Sequence, residues 1–237
     1  MHYTNPIKNG KPFMAIFLFF FIFAFITNAN AMETIKLPEP EDTNPVYLKE
    51  ILNKRSTVRA FNKGMPLSLQ DLSYVLWSAY GFKKDRGRTV PSAGALYPLD
   101  IYIACGEIIS GEKERIPAAL YHYIPEKHQL NIVRTMDLRK DIAKASLSQM
   151  WTAEAPCLII ITAEYERITF KYRDRGIRYA LMEAGNVSQN IFLSSFNKGL
   201  ACGIVGAFDD NILKTVLGVK KSHEPLLVMP IGYRYGK

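Results

Sequence analysis

Cysteine is scarce in this sequence, which has three cysteines in 237 residues. Cys105, Cys157 and Cys202 lie far apart, and each has apolar or glycine neighbours. An odd, widely spaced set argues against a disulfide framework and against a cysteine-based metal site. We therefore expect three small buried apolar side chains, although an oxidising compartment would allow one pair.

Signatures of several enzyme classes are also missing. No Gly-x-Gly-x-x-Gly turn follows a strand pattern and no Walker loop is present, which argues against Rossmann-type and P-loop nucleotide binding. No Gly-x-Ser-x-Gly segment signals a serine hydrolase. His122, His128 and His223 lack the spacing of metal ligands, so we expect no metal.

Residues 1–31 have the pattern of a secretory signal peptide. Lys8 and Lys11 are the only charges, residues 13–26 form an apolar run, and residues 29–31 have the small-x-small form of a cleavage site. We expect cleavage after Ala31 and export, in the first place to a periplasm. The apolar run is shorter than the about 20 residues of a membrane span. An uncleaved membrane anchor is therefore the alternative.

Basic residues exceed acidic ones, with a formal net charge of +8, but the two signs alternate along the chain. Interspersed charge does not indicate a nucleic-acid surface, so no nucleic-acid partner is expected. The basic excess suits an anionic cofactor equally well. Residues 32–45 predict a stiff polar leader, and residues 46–237 are long enough for one substantial domain.

Apolar periodicity predicts an α+β domain with helices over a central sheet. Helices are expected over residues 46–52, between Ser68 as N-cap and Gly81, and over 177–196; strands are expected over 101–105, 120–123, 158–163 and 226–231. The last two strand patterns are continuous apolar runs. Such runs are typical of strands covered on both faces.

Residues 88–98 are the most informative segment, a loop of small residues between a helical pattern and a strand pattern. The loop contains no acidic side chain, and its small residues allow the backbone to approach a flat or anionic group closely. The segment is therefore a candidate ligand-binding loop. The alternative is an ordinary helix-to-strand turn.

Two other segments have the chemistry of an anion site. Arg55, Ser56, Thr57 and Arg59 combine guanidinium and hydroxyl donors that suit a phosphate group; the alternative is a solvated helix end. Residues 203–208, Gly-Ile-Val-Gly-Ala-Phe, follow the long helix and leave backbone N–H groups accessible to a ligand. Their alternative is a tight turn into a buried strand.

Lys171 and Tyr172 are the candidate residues for proton transfer. Each would need a pKa moved toward neutrality to act in that way. The segment around them is dense in charge, and such segments are otherwise typical of a solvent-facing surface.

Taken together, these segments resemble the FMN-dependent nitroreductase superfamily, and within it the SagB/ThcOx-type dehydrogenases. The resemblance covers about residues 46–233, with the motifs in the family's order. These motifs are Arg55-Ser-Thr-Val-Arg59-Ala-Phe61, Pro66-Leu-Ser-Leu69, Thr89-Val-Pro-Ser-Ala-Gly-Ala-Leu-Tyr-Pro98, Tyr121-His-Tyr123, Arg175-Gly-x-Arg-Tyr179, Glu183-Ala-Gly185, Gln189-Asn190, Gly199-Leu200, Gly206-Ala-Phe208 and Gly232-Tyr233. The resemblance implies a nitroreductase-like α+β fold with a central, mostly antiparallel sheet flanked by helices. It also implies an interlocked homodimer that binds FMN at its interface.

The resemblance assigns roles to the candidate residues. Those expected to hold the FMN phosphate and ribityl chain are Arg55, Ser56, Thr57 and Arg59, with Arg234 as a phosphate contact in place of the family's longer basic C-terminal segment. Those expected to approach the flavin from the partner subunit are Pro91, Ser92, Ala93 and Gly94. Val205 and Gly206 would offer backbone N–H groups near flavin N5 and O4. One departure is Asn186, where the family's usual residue is histidine.

Lys171 and Tyr172 match the Lys-Tyr pair of the azoline-oxidising members. The function implied first is an exported FMN oxidoreductase that passes hydride through flavin N5 from a reduced donor to a small organic acceptor. The donor would be NAD(P)H or, since that is scarce outside the cytoplasm, the substrate itself, a quinol or a protein. The alternatives are an azoline dehydrogenase acting on a modified peptide and a flavin-binding protein without turnover.

Overall fold

The computed structural model describes residues 34–42, 46–85 and 87–236. The expected signal peptide at residues 1–31 lies outside them. Among the described helices, none combines the length and the apolar character that crossing a membrane requires.

A central sheet carries most of the strands. The strands of the described residues are β1 (Thr34–Lys36), β2 (Leu67–Ser68), β3 (Leu99–Cys105), β4 (Ile108–Ser110), β5 (Glu114–Ile116), β6 (Ala119–Ile124), β7 (Gln129–Arg134), β8 (Cys157–Glu164), β9 (Ala201–Cys202) and β10 (His223–Gly232). Seven of them form one sheet in the order β1-β7-β6-β3-β8-β10-β9, and each neighbouring pair is antiparallel. The other three form a small sheet in the order β2-β4-β5. The expected mostly antiparallel α+β architecture is confirmed.

Helices cover both faces of the central sheet. They are α1 (Leu48–Lys54), α2 (Leu69–Tyr80), α3 (Arg139–Ala145), α4 (Glu166–Tyr172), α5 (Arg175–Asn197) and α6 (Asp210–Leu217). Alternate residues of β3 face two different cores: Ile101 and Ile103 pack in the core formed with α2 and α5, and Tyr102 and Ala104 in the core formed with α3 and α6. Strand β8 is buried on both faces in the same way, as its continuous apolar run predicts.

The ends of α2 follow local sequence signals. The Ser68 side chain accepts a hydrogen bond from the Asp71 N–H at 3.0 Å, which satisfies one of the free amides at the helix start. Gly81 ends the helix where a Cβ atom would lie 2.7 Å from the Trp77 carbonyl oxygen. The close contact favours glycine at this position, where the chain leaves the helix ahead of residues 88–98.

The described part of the expected leader packs onto the domain. Residues 34–36 form β1, the edge strand beside β7, and the Leu37 N–H donates to the His128 carbonyl at 3.1 Å. Asp42 accepts hydrogen bonds from Tyr74 and Asn197. The segment therefore packs in the sheet and on the surface of α2 and α5. The sequence predicted a stiff polar leader for these residues.

The cysteines correct one expectation. Cys105 and Cys157 lie opposite each other in the register of β3 and β8 and form a disulfide. Cys202 is free and buried, and burial raises the pKa of its thiol. The first expectation, three separate small apolar side chains, is wrong for two of them, and the single pair that the sequence left open is present, because strand register brings together residues 52 positions apart.

Candidate active site

The loop at residues 88–98 lies directly against the Lys-Tyr pair of the same chain. Gly94 has a φ of +62°, and a Cβ atom on it would lie 2.8 Å from the Tyr172 hydroxyl oxygen and 3.1 Å from the Lys171 Nζ. Both the backbone conformation and the close contact favour glycine at this position. Two motifs that are 77 residues apart in sequence thus form one wall, in which Tyr172 is half-buried and Lys171 exposed.

Internal hydrogen bonds hold this loop in a strained conformation. The Ser92 hydroxyl oxygen accepts from the Tyr97 N–H at 2.9 Å, and the Tyr97 hydroxyl oxygen accepts from the Arg88 N–H at 3.3 Å. Ala95 and Tyr97 have φ values of +56° and +47°, which side chains other than glycine rarely adopt. Strain of this kind persists where the surroundings fix the backbone and is common at ligand sites.

An ion-pair cluster fixes α4, the helix that carries the Lys-Tyr pair. The Arg167 guanidinium lies 2.9 Å from Asp100 Oδ2 and 2.8 Å from Glu164 Oε2. Asp100 is on β3 and Glu164 on β8, so one side chain joins the start of α4 to two central strands. Four residues further on, Lys171 lies on the same side of the helix.

Two histidines complete the cluster. His122 Nε2 lies 3.2 Å from Asp100 Oδ1, and the His223 ring lies 3.7 Å from Asp100 and 3.6 Å from Glu164. Burial opposes ionisation of Asp100, but His122 and Arg167 outweigh it and lower the pKa of that carboxyl. Burial lowers the pKa of His223. Its ring therefore favours the neutral form between two carboxylates.

The cluster bears on the expectation that the chain holds no metal. The side chains of Asp100, Glu164 and His223 converge closely enough to ligate a cation. The Arg167 guanidinium, however, is already within hydrogen-bond distance of both carboxylates. Its positive charge balances the two carboxylates, as the charge of a metal ion would. The absence of a metal stays a prediction.

The predicted phosphate residues form a second group, beside the C-terminal end of the chain. Arg55 ends α1 and stacks over the Phe192 ring at 5.2 Å. The Arg234 guanidinium donates to the Ser56 hydroxyl oxygen at 3.2 Å, so the suggested extra phosphate contact lies beside its proposed partners. Arg59 stacks over the Trp151 ring at 5.8 Å. Thr57 is half-buried in the same segment.

The Gly-Ile-Val-Gly segment packs against this second group and corrects one donor. The Val205 N–H donates to the Val228 carbonyl at 2.8 Å, so this amide is engaged in the sheet and is not free for a ligand. Gly206 is exposed, and no hydrogen bond among the described residues uses its N–H. A Cβ on Gly203 would lie 2.8 Å from the Val58 carbonyl oxygen, which places the two segments in direct contact.

The two groups remain separate within one chain. Over residues 34–42, 46–85 and 87–236, none of the hydrogen bonds, ion pairs or ring contacts joins the 91–94 loop or the Lys-Tyr pair to Arg55, Gly206 or Arg234. The first group combines the small residues of the loop with the proton-carrying side chains of Lys171 and Tyr172. The second combines arginine side chains with the Gly206 N–H. The assignment of both groups to one ligand stays a prediction.

A family model described as the nitroreductase family matches residues 52–233. The chain belongs to the nitroreductase family. It is 42% identical over 199 residues to the protein MJ1384 of Methanocaldococcus jannaschii, named as a nitroreductase, in a match that covers 84% of this chain and 95% of the relative. The crystal structure of a protein from Ralstonia eutropha JMP134, also assigned to the nitroreductases, is 28% identical with a TM-score of 0.70. It covers 86% of this chain and 90% of that chain.

A second kind of relative is named for the processing of a microcin. The chain is 30% identical over 176 residues to the microcin B17-processing protein McbC of Escherichia coli, a match that covers 70% of this chain and spans 62% of McbC. A chain of the microcin synthetase McbBCD complex from E. coli is similar in fold, with 23% identity and a TM-score of 0.64 over 84% of this chain and 77% of that chain. This nitroreductase-family chain is thus an oxidoreductase by family, with relatives of two kinds.

Sequence reasoning missed two sets of residues at the site. The first is the cluster around Arg167, whose members come from separate segments. The second is the role of Glu183, a buried carboxyl behind the loop with Tyr80 as its hydrogen-bond donor; sequence reasoning places Glu183 in the Glu183-Ala-Gly185 motif and assigns it no role. A glutamate on the apolar side of the long helix was the available signal, because charged residues are rarely fully buried without a partner.

Proposed function

We propose that this nitroreductase-family protein binds FMN and transfers hydride from a reduced donor to a small organic acceptor. Bound FMN would supply a flavin N5 that accepts and returns a hydride. The observation that carries the proposal is the wall formed by Gly94, Lys171 and Tyr172. There the glycine backbone lies beside the Tyr172 hydroxyl group and the Lys171 ammonium group, both of which carry protons. Members of this family typically bind a flavin.

The chemistry of the residues fits FMN at both ends. Arg55, Ser56, Arg59 and Arg234 supply cations and a hydroxyl group for a phosphate, and guanidinium groups bind phosphate oxygens in pairs. In the loop segment 91–94, no side chain is larger than proline and none carries a carboxylate. The segment therefore allows close approach of a planar ring without repelling negative charge.

We propose further that two copies of the chain complete the site. Among the described residues, none of the hydrogen bonds, ion pairs or ring contacts joins the residues expected at the phosphate to the 91–94 loop, which supports a partner's contribution. Large apolar side chains are exposed at the start of α1 and on α1, α4 and α5, namely Tyr47, Leu48, Leu52, Phe170, Leu181 and Met182. Contact with a second copy in a symmetric dimer would cover such side chains.

Lys171 and Tyr172 are placed to hold or move a proton on the substrate side. The Lys171 Nζ lies 5.3 Å from the centre of the Tyr172 ring, and the Tyr172 ring packs edge-on against Tyr179 at 5.2 Å. The phenol is thereby fixed, while the ammonium group faces solvent. Dehydrogenation of an organic substrate removes a hydride and a proton, and either group has the chemistry to accept that proton.

The second candidate function is oxidation of an azoline in a modified peptide. The similarity to McbC, a microcin B17-processing protein, and the position of the Lys-Tyr pair over Gly94 favour it. Replacing Tyr172 with Phe keeps the ring and removes the hydroxyl group. Loss of azoline turnover with FMN still bound would support this function, and unchanged turnover would contradict it.

The place of action is proposed to be outside the cytoplasm. The pattern of residues 1–31 supports export, and so does the Cys105–Cys157 disulfide, since disulfides persist in oxidising compartments. NAD(P)H is scarce there, so the donor in the cell would be the substrate, a quinol or a protein. An uncleaved N-terminal segment would instead hold the enzyme at the membrane.

The test of the main proposal is a visible absorption spectrum of purified residues 32–237 before and after anaerobic addition of NAD(P)H, a quinol or a dithiol. We expect a flavin spectrum that at least one donor bleaches and that a nitroaromatic or quinone acceptor restores. Bound flavin that no donor bleaches would support a binding protein without turnover. Protein that holds no flavin and takes up no added FMN would refute the proposal.

A further inference from the structure

A buried carboxyl group lies behind the loop wall and has no cation of its own. Glu183 on α5 is 2% exposed. The Tyr80 hydroxyl group donates to its Oε1 at 2.6 Å. Because the Tyr80 oxygen also accepts from the Leu99 N–H at 3.4 Å, the only proton of the phenol is directed to Glu183. The other carboxyl oxygen, Oε2, is buried and has no hydrogen-bond partner among the residues that the structure describes.

The nearby cation is committed elsewhere. The Arg88 guanidinium forms an ion pair with Glu126 at 2.8 Å and stacks on the rings of Tyr80 and Tyr97 at 4.2 and 4.5 Å. It therefore does not neutralise Glu183 by direct contact. A buried carboxylate with one hydrogen bond and no ion pair is strongly disfavoured relative to the neutral acid.

The groups that face Glu183 come from three elements. They are Tyr80 from α2, Arg88 and Ser92 from the loop, and the Leu99 amide of β3 through the Tyr80 oxygen. Burial raises the pKa of Glu183, and the polar groups of Ser92 and Tyr80 and the charge of Arg88 counteract only part of that rise. Lys171 and Tyr172 lie on the other side of the loop, against Gly94.

The proton on Glu183 decides the orientation of the Ser92 hydroxyl group. A serine hydroxyl has one donor and two acceptor positions, and the Tyr97 N–H occupies one acceptor position of Ser92. A neutral Glu183 has a proton that it could donate to the second, which would leave the Ser92 O–H to point to the open side of the loop. An ionised Glu183 would instead draw that O–H inward.

We propose that Glu183 is a positioning residue that holds a proton in the folded protein and thereby turns the Ser92 hydroxyl group outward as a donor to an acceptor atom of the bound flavin. This inference rests on the proposed function for the nature of the ligand. Whether the Ser92 hydroxyl group donates to the flavin then depends on Glu183, which does not itself contact the flavin. Deprotonation of Glu183 reverses the Ser92 hydrogen bond and weakens binding.

The first test needs no flavin. Infrared spectra of the ligand-free protein at neutral pH are compared for the wild type, Glu183→Gln, Ser92→Ala and the exposed control Glu107→Gln. We expect a protonated-carboxyl band in the wild type and in the control, absent from Glu183→Gln and displaced in Ser92→Ala because the acid loses its acceptor. A missing band in the wild type, or no displacement in Ser92→Ala, would overturn the inference.

The second test measures FMN affinity against pH by quenching of flavin fluorescence. Gln copies the neutral acid, since its amide group donates to Ser92 and its oxygen accepts from Tyr80. We expect the wild type to lose about fivefold in affinity, the value of one hydrogen bond, as the pH rises through the pKa of Glu183. Glu183→Gln should bind as the neutral wild type does at every pH, and Ser92→Ala about fivefold more weakly without pH dependence.

The outcomes separate the two proposals. A pH profile that is identical in the wild type and Glu183→Gln would refute the role of Glu183 while FMN binding stands. No binding of FMN by any variant would refute the proposed function. In that case the infrared band and its response to Ser92→Ala still decide whether Glu183 holds the proton and shares it with Ser92.

Discussion

At the scale of single residues, Gly94 is the point where loop and catalytic candidates meet. Its positive φ and its closeness to Tyr172 and Lys171 are separate constraints, and a substitution can test them separately. Gly111 offers the comparison, because it has a φ of +64° and open space where a Cβ would lie.

Gly94→Ala should therefore lose function beyond its loss of stability. Both Gly94→Ala and Gly111→Ala should destabilise the fold by about 1–2 kcal/mol, the cost of a left-handed alanine. Only Gly94→Ala displaces the Tyr172 hydroxyl group, so only this variant should lose flavin-dependent turnover. Melting temperatures and turnover of both variants provide the measurement, and equal activity would contradict the assignment of the wall.

His223 should make the protein sensitive to mild acid. Burial lowers the pKa of its ring in the folded state, so the unfolded chain binds the proton at higher pH. Stability is then complete above the unfolded pKa of about 6.5 and falls as the pH decreases through the folded pKa. The free energy of unfolding of His223→Gln should depend less on pH below about 6.5. His128, whose pKa burial also lowers, retains part of the dependence.

At the scale of elements, α4 depends on contacts that no local pattern reveals. Ser68 and Gly81 mark the ends of α2 in the sequence, because capping involves residues within one turn. Arg167 instead meets Asp100 and Glu164, which belong to two other elements. The same limit applies to the Val205 amide, whose partner Val228 is set by sheet pairing.

Replacing Arg167 with Met should loosen α4 while the flavin remains bound. The change leaves two carboxylates together without their cation, and we expect a loss of about 1–2 kcal/mol, since the side chain is partly exposed. Turnover should fall further than stability explains, because Lys171 and Tyr172 lose their support. Arg115→Met, in exposed β5, is the matched control, and equal turnover in the two variants would exclude a positioning role.

At the scale of the whole molecule, the sequence predicted the layered α+β fold, which is confirmed, and the two groups of site residues, which stay a prediction. Its continuous apolar runs gave the buried strands β8 and β10, since periodicity depends on burial alone. It did not predict the Cys105–Cys157 disulfide or the packing of residues 34–42, because both depend on register between distant strands. Non-local pairing is the information that a single sequence carries least directly.

The disulfide is directly measurable. Without reductant, the denatured chain should expose one titratable thiol, that of Cys202, and after reduction three. Reduction should also lower the free energy of unfolding by about 2–4 kcal/mol. Three thiols before reduction would show that the pair is not formed and would remove one support for export.

The central claim is that one flavin site is built from two copies of the chain, with Arg55 and Arg59 from one and the Gly94 wall from the other. Co-expression of an Arg55→Ala/Arg59→Ala chain with a Gly94→Ala chain tests it, with bound flavin per dimer and turnover as the measurement. Each variant alone should be inactive, and each mixed dimer should regain one intact site. Mixed dimers that remain inactive would contradict a shared site.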